Sequence, residues 1–275
     1  MAVNHIEDLR ALAEAFPQSK WPFIPCPACK RGGASPLDPG SIRIQESQES
    51  LAYQNHPDWE PYFINGHFSG LLTCERSACR EFVHVIGEFK LEDRIHEPGE
   101  PYGPGQWNAS DFENSLKIKF FEPALLLIDP DCKAPSQVVN LVNSGSVLLW
   151  SDPASAANRV RSAVEELLNR QGIRKTYKDK KGKTQRNTAH KRIELLGGKG
   201  QSKYRNAADL LMAVKWIGND GSHGDALTVP DVLDGVELMS EALDLIYETR
   251  ALDLQRKAAL INKAKGLRKP RRRPT

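Results

Sequence analysis

The alternation of apolar and polar residues divides the chain into a strand-rich first half and a helical second half. "FSGLLT" leads into the second cysteine pair, and "EFVHVIGEF" leaves it with alternating apolar residues, as a strand with one buried face requires. From residue 151 onward, apolar residues instead recur every three or four positions. "SDPASAANRVRSAVEELLNRQG" therefore predicts a helix with Ser151 or Asp152 as N-cap and Gly172 just past its end.

The same spacing predicts three more helices, around "TAHKRIELL", over "YRNAADLLMAVKWI", and from "VPDVLDGV" onward. Gly218 stands where a helix-ending glycine is common, and Asn219 tolerates a left-handed backbone, so we expect the third helix to stop there. The segment "RKTYKDKKGKTQRN" has Tyr177 as its only apolar residue and is predicted to be an exposed loop. Four helices joined by loops indicate an antiparallel bundle.

Four of the five cysteines form two closely spaced pairs in the strand-rich half, Cys26 with Cys29 and Cys74 with Cys79. In a reducing compartment such pairs bind Zn²⁺ tetrahedrally rather than forming disulfides. We predict one structural four-cysteine Zn²⁺ site, with each pair on a tight turn between two strands. The 44 residues between Cys29 and Cys74 require an inserted loop or hairpin. A redox CxxC and four unrelated buried cysteines are the alternatives.

These patterns predict an α+β chain, a zinc-ribbon-like β region followed by a four-helix bundle. Residues 1–90 form the zinc-ribbon-like region with its inserted loop or hairpin, and residues 91–134 form a linker and a strand-like bridge. Within that bridge, the strand-like run "KIKFFEPALLLIDP" is interrupted by Pro123. Residues 135–254 form the helical bundle, and residues 255–275 form a basic helix end and a disordered tail.

The formal net charge of +3 conceals two strongly basic segments. Residues 170–205 contain 13 Lys or Arg against two acids, and residues 255–275 contain nine against none. Such patches suggest a polyanionic partner such as nucleic acid, with solvated faces or a disordered tail as the alternative. The candidate contacts are Arg174, Lys175, Lys178, Lys180, Lys181 and Lys183 in the loop, and Arg271, Arg272 and Arg273 in the tail.

The chain has no apolar run near the ~20 residues that span a bilayer. Its N-terminus, "MAVNHIEDLRALAEAF", lacks the pattern of a signal peptide. We therefore expect a cytoplasmic protein without membrane association.

"DPASAANRVRSAVEELL" and "KWIGNDGSHGD" resemble an uncharacterised bacterial domain that also occurs joined to type I restriction-enzyme R subunits and in prophage and defence-associated proteins. That domain is placed in the HEPN superfamily of helical bundles, and the resemblance covers roughly residues 135–250. The cysteine region is reminiscent of relatives with an N-terminal zinc-binding extension. The resemblance implies a HEPN-like bundle, a homodimer formed through it, and RNA as the favoured nucleic acid.

Active members of that superfamily are metal-independent RNases with an arginine, four to six intervening residues and a histidine. By resemblance, His223 matches the acid/base histidine, and Asn219 matches the polar residue that often follows the arginine. The arginine has no match, because "WIG" occupies the three permitted positions, residues 216–218. Lys215 lies just outside that window and is a candidate source of the charge, although it cannot reproduce the planar, two-pronged contact of a guanidinium with phosphate.

Arg159 and Arg161 are two further sources of a cation, because the first helix packs beside the third in such bundles.

Three functions follow. The favoured one is a nucleic-acid-associated HEPN-like protein of bacterial defence or regulation without an intact RNase motif. The second is a metal-independent endoribonuclease that uses His223, and the third is a dimeric protein-interaction adaptor.

Overall fold

The computed structural model describes residues 2–94, 111–223, 227–247, 250–264 and 266. It confirms the α+β class, because a curled antiparallel sheet in the N-terminal part is followed by a helical region. In the described part of the chain, no helix is both long and apolar enough to cross a membrane.

The sheet contains seven strands within the described residues, all paired antiparallel. They are β1 (Phe16–Pro17), β2 (Ile24–Pro25), β3 (Gly33–Pro36), β4 (Ile42–Glu46), β5 (Asn65–Cys74), β6 (Phe82–Asp93) and β7 (Phe112–Glu122). The order is β1-β7-β6-β5-β3-β2, and β4 also pairs with β5. Strands β3 and β4 both pair with β5, and a 3-10 turn separates them. The long insertion between the cysteine pairs therefore folds into an antiparallel hairpin with β5.

The alternation predicted for the segment that forms β6 is present, and the burial of β5 alternates as well. Phe68, Leu72, Val83 and Val85 are fully buried, and the residues between them are more exposed. The strand β7 pairs with β6 along its whole length, so the strand of the predicted bridge belongs to the sheet. It ends immediately before Pro123, which has no N–H to donate to a neighbouring strand.

Eight helices are present in the part of the chain that the structure describes. They are α1 (Ala2–Ala11), α2 (Gln48–Tyr53), α3 (Ser136–Asn143), α4 (Pro153–Arg170), α5 (Ala189–Gly197), α6 (Ser202–His223), α7 (Val229–Tyr247) and α8 (Arg250–Ala264). The predicted limits of α4 are confirmed. Asp152 is its N-cap and accepts a hydrogen bond from the Ser155 N–H at 2.9 Å, and Gly172 follows with a left-handed φ of +70°.

A single apolar core extends from the sheet into the helices. Helix α6 packs against α4, α5 and α7, while α1 packs against α7. Arg10 of α1 pairs with Asp234 of α7 at 2.7 Å. The sequence did not predict α1, and the division of the chain into four ranges stays a prediction.

The expected end of the third helix at Gly218 is wrong, because α6 continues to His223. Gly218 is buried, and a β-carbon there would lie 2.7 Å from the Cβ of Arg161 and 3.3 Å from the carbonyl oxygen of Ala157. The glycine therefore allows α4 to approach α6 closely, and it does not terminate the helix.

The expected lysine-rich loop is instead a two-stranded hairpin of β8 (Thr176–Lys178) and β9 (Thr184–Arg186). Asp179 forms its turn by accepting hydrogen bonds from the N–H groups of Lys181 and Lys183, both at 2.9 Å. Gly182 has φ +77°, which suits such a turn. The strands are almost entirely exposed, as predicted for this segment, so no apolar alternation marks them in the sequence.

Candidate metal centre and basic surface

The four paired cysteines converge at one end of the sheet. Strand β2 leads into Cys26 and β3 follows Cys29, while Cys74 ends β5 and Cys79 precedes β6. The predicted position of each pair between two strands is therefore confirmed. Because Ala34 of β3 pairs with Cys74 of β5, the sheet register brings the two turns together.

The sulfur atoms are arranged at distances that suit a tetrahedral ion. The Cys26 and Cys79 sulfurs are 3.8 Å apart, the Cys29 and Cys74 sulfurs are 3.7 Å apart, and all four lie within 4.8 Å of one another. A metal with bonds of about 2.3 Å to four sulfurs holds them about 3.8 Å apart, whereas a disulfide bond is about 2.0 Å. The cluster is compatible with a metal site, and its cysteines are free thiols.

Both turns share one backbone feature at the residue that follows the second cysteine of the pair. Lys30 and Arg80 have left-handed φ angles of +54° and +56°. The N–H of Lys30 donates to the carbonyl of Cys26 at 3.0 Å, and the N–H of Arg80 donates to the carbonyl of Arg76 at 3.1 Å. In the second turn, where the cysteines are further apart in sequence, the closing hydrogen bond is therefore accepted by the carbonyl of Arg76 and not by that of Cys74.

The packing around the thiols leaves no space for a side chain at Gly32. A β-carbon there would lie 2.8 Å from the Cys74 sulfur and 2.9 Å from Cγ of Arg76. Cys26 and Cys74 are buried, whereas Cys29 and Cys79 are partly exposed. One side of the cluster therefore faces the interior and the other faces solvent.

The thiols differ in their protonation when no cation is bound. Burial raises the pKa of Cys26 to about 12 and also raises the pKa of Cys74. A hydrogen bond from the Arg31 backbone N–H, together with neighbouring thiols and Arg76, lowers the pKa of Cys29 to about 6. A metal ion that binds as a thiolate complex must displace the protons of the buried thiols.

The cysteine cluster is also connected to the segment that leads into the helical half. Lys30 Nζ lies 2.7 Å from a carboxylate oxygen of Asp129 and 3.7 Å from one of Asp131. This contact holds the pKa of Asp129 below its usual value. Asp129 precedes α3, so the first cysteine turn touches the connection between the sheet and the helices.

The hairpin of β8 and β9 collects the predicted basic residues into one exposed arm. Arg174 and Lys175 precede β8, and Lys178 lies on it. The turn carries Lys180, Lys181 and Lys183. All six side chains are exposed. The carboxylate of Asp179 is engaged with the turn and with Gln185. The predicted tail contacts, Arg271, Arg272 and Arg273, lie outside the described residues.

The structure brings Lys215 and Arg161 together at the contact between α4 and α6, because Arg161 packs on Gly218, one turn from Lys215. Arg159 is exposed and lies two residues from Arg161, which is not the same helix face. Since α6 is continuous, Lys215, Asn219 and His223 follow at intervals of four residues along one stripe. Asn219 is half-buried, and the side chain of His223 lies outside the described part of the structure.

Four residues that the sequence did not single out adjoin this contact. The indole of Trp216 lies edge-on to the ring of His190 with centroids 6.2 Å apart, and Lys215 Nζ lies 3.1 Å from the indole centroid. Glu165 lies 4.0 Å from Arg161 and 3.8 Å from Arg186 at the end of the hairpin. No single local pattern reveals the cluster, because the contacts of His190 with Trp216 and of Glu165 with Arg186 join different helices or a helix to the hairpin.

The sheet and the helical half each match a family of unknown function. Residues 14–121 match a domain of unknown function (DUF8608), and residues 143–269 match another domain of unknown function (DUF4145). No curated protein and no solved structure matches the chain.

The family descriptions fit the expectation of an uncharacterised domain and leave its HEPN assignment a prediction. The first range covers the strands of the sheet except the last residue of β7, and the second begins at the end of α3 and includes the basic hairpin. The homodimer, the nucleic-acid partner and the cytoplasmic location also stay predictions. Function must therefore be argued from the residues themselves.

Proposed function

We propose that this chain is a zinc-stabilised nucleic-acid-binding protein of bacterial defence or regulation, with RNA as its favoured ligand. The exposed basic hairpin carries the proposal. It presents Arg174, Lys175, Lys178, Lys180, Lys181 and Lys183 on an arm whose backbone is fixed by strand pairing and by the Asp179 turn. The preference for RNA and the role in defence or regulation rest on the resemblance of the helical half to HEPN domains.

Zinc is the metal that we propose for the four cysteines. Four sulfur ligands in a tetrahedral arrangement suit Zn²⁺, and a site with four protein ligands leaves no coordination position for a substrate. Cys26 and Cys29 fix the turn between β2 and β3, while Cys74 and Cys79 fix the turn between β5 and β6. The ion would stabilise the sheet and would not take part in a reaction.

Phosphate binding is the chemistry that the hairpin supports. Lys and Arg side chains that neutralise phosphates provide most of the sequence-independent affinity of nucleic-acid-binding proteins. The hairpin adjoins α4, because Arg186 at its end lies 3.8 Å from Glu165. The arm and the contact between α4 and α6 therefore belong to one basic surface.

The hairpin can be tested by replacing Lys180, Lys181 and Lys183 together with alanine. These side chains lie in the turn and make no hydrogen bond or ion pair with the described residues, so the variant should keep its thermal stability. The matched control replaces exposed lysines elsewhere, Lys20, Lys90 and Lys257. Fluorescence anisotropy with labelled single-stranded RNA should show weaker binding for the hairpin variant alone. Equal affinity of all three proteins would contradict the role of the hairpin.

RNA cleavage is a second candidate, and the register of α6 favours it. Lys215, Asn219 and His223 share one helical stripe, which would not hold if α6 ended at Gly218. A histidine suits proton transfer near neutral pH, and a nearby cation would stabilise charge on phosphate. If wild type and His223→Ala leave a panel of RNAs equally intact, this candidate is refuted.

A further inference from the structure

A buried cation that forms no ion pair with the described residues lies where α4 meets α6. Lys215 is only 8% exposed, and no carboxylate of the described residues lies within ion-pair distance of it. Its ammonium group lies against the indole of Trp216. Burial, together with the charge of Arg161, lowers the pKa of Lys215. The folded chain thus keeps two mutually repelling cations side by side.

Arg161 is itself incompletely paired. Its Nε is buried and has no hydrogen-bond partner among the described residues, and its nearest carboxylate, Glu165, lies at the 4.0 Å limit of an ion pair. Glu165 is shared with Arg186 at 3.8 Å. A buried donor without a partner and an excess of positive charge both destabilise the free protein. A bound anion would remove both costs.

An exposed aromatic ring stands directly beside these cations. Trp216 follows Lys215 in α6, and 51% of its surface remains accessible. His190 of α5 contacts the indole edge-on, with an angle of 65° between the rings, and so fixes its position. Aromatic side chains beside cationic grooves stack the bases of single-stranded nucleic acids.

We propose that Arg161, Lys215 and Trp216 form a nucleotide site for single-stranded nucleic acid. Arg161 and Lys215 bind a phosphate, and Trp216 stacks with the adjoining base. The inference rests on the proposed function, since Arg186 and the hairpin would hold the strand beyond this nucleotide. Bases in a duplex are already stacked on one another, so the site distinguishes a single strand from a duplex.

The test uses the full chain and two probes, hexauridine and an RNA duplex of six base pairs. Lys215→Met removes the charge but keeps an unbranched side chain suited to a buried position. Trp216→Ala removes the ring, and Trp216→Phe retains one. Lys20→Met replaces an exposed lysine and serves as the control. Thermal unfolding midpoints establish that each variant is folded.

We expect Trp216→Ala to bind hexauridine about tenfold more weakly, as loss of one base-stacking contact does. Lys215→Met should also bind it about tenfold more weakly, because a phosphate contact is lost. Trp216→Phe should retain most of the affinity, and duplex binding should change less than twofold in every variant. Unchanged hexauridine affinity in both Lys215→Met and Trp216→Ala would overturn the site. If the nucleotide site failed in this way but the alanine variant at Lys180, Lys181 and Lys183 still lost RNA binding, the proposed function would stand. If wild type bound no RNA, both the nucleotide site and the proposed function would be overturned. Should Lys215→Met fail to fold, the comparison of Trp216→Ala with Trp216→Phe decides.

Discussion

Gly218 of α6 lies so close to Arg161 of α4 that a β-carbon on the glycine would fall 2.7 Å from the Cβ of the arginine. The contact joins two helices and sets the position of Arg161 relative to Lys215. It also explains why glycine occupies a helix interior, where its backbone entropy costs ~1 kcal/mol relative to alanine.

Gly218→Ala should therefore destabilise the protein, although alanine favours a helix. Insertion of a methyl group into a packed contact costs ~1–3 kcal/mol and should outweigh the gain in helix propensity. Urea denaturation gives the change in the free energy of unfolding. Gly198→Ala is the control, because a β-carbon there meets its nearest atoms at an ordinary 3.6 Å. A Gly218→Ala protein as stable as wild type would mean that the helices are not in close contact.

Gly32→Ala should weaken metal binding. The added methyl group would lie 2.8 Å from the Cys74 sulfur, so the thiol or the β2–β3 turn must move. Competition with a chromophoric chelator measures the affinity for Zn²⁺. Gly40→Ala, in the turn before β4, should bind zinc as wild type does, since its β-carbon would meet only the flexible carboxylate of Asp38, at 3.2 Å. Equal affinity of the two variants would show that the thiols do not form the site described.

Zinc binding should release protons at neutral pH. Burial holds the pKa of Cys26 at about 12 and raises that of Cys74, so these thiols are protonated in the metal-free protein and must ionise to bind. Zinc affinity should accordingly rise with pH and fall in acid. Titration of metal-free protein with zinc in weak buffer measures the protons released. No release at pH 7 would contradict thiolate coordination by the buried pair.

Arg192→Met should loosen the base of the basic hairpin. Arg192 is 4% exposed, and its Nη2 donates to Asn169 Oδ1 at 2.7 Å and to the carbonyl of Ile173 at 3.1 Å. Loss of these bonds leaves a buried carbonyl unsatisfied and should cost ~1–3 kcal/mol of folding stability. Thermal denaturation measures this loss of stability, and Lys191→Met, which alters an exposed neighbour, is the control. Similar unfolding midpoints would remove Arg192 from the structural account.

The four-cysteine cluster was predictable because its signals are local. The spacing of Cys26 and Cys29, and the strands around the second pair, are visible in the sequence, as are the caps of α4. Gly218 could not be assigned in this way, because a glycine that ends a helix and one that admits a neighbouring helix look alike until α4 is in place. The hairpin of β8 and β9 buries no apolar face, so periodicity does not reveal it.

The cluster around Lys215 depends on contacts between distant segments. Trp216 adjoins Lys215 within α6, and Glu165 lies one turn from Arg161 within α4. His190 and Arg186 reach these residues only because α5 and the hairpin lie beside them, and α4 meets α6 at Gly218. The family resemblance indicates Arg161 as a candidate cation, and the structure places it against Gly218 of α6. The role of that pair as an anion site follows from burial and missing partners, neither of which a sequence displays.

The affinity for single-stranded RNA across a salt series is the most direct test of nucleic-acid binding through the basic surface. Each phosphate neutralised on a single strand contributes ~0.7 to the slope of log affinity against log salt concentration. Wild type should bind with a slope of ~3 or steeper, and alanine at Lys180, Lys181 and Lys183 should reduce that slope by ~2. Binding that does not change with salt, or no binding at low salt, would contradict the proposed function.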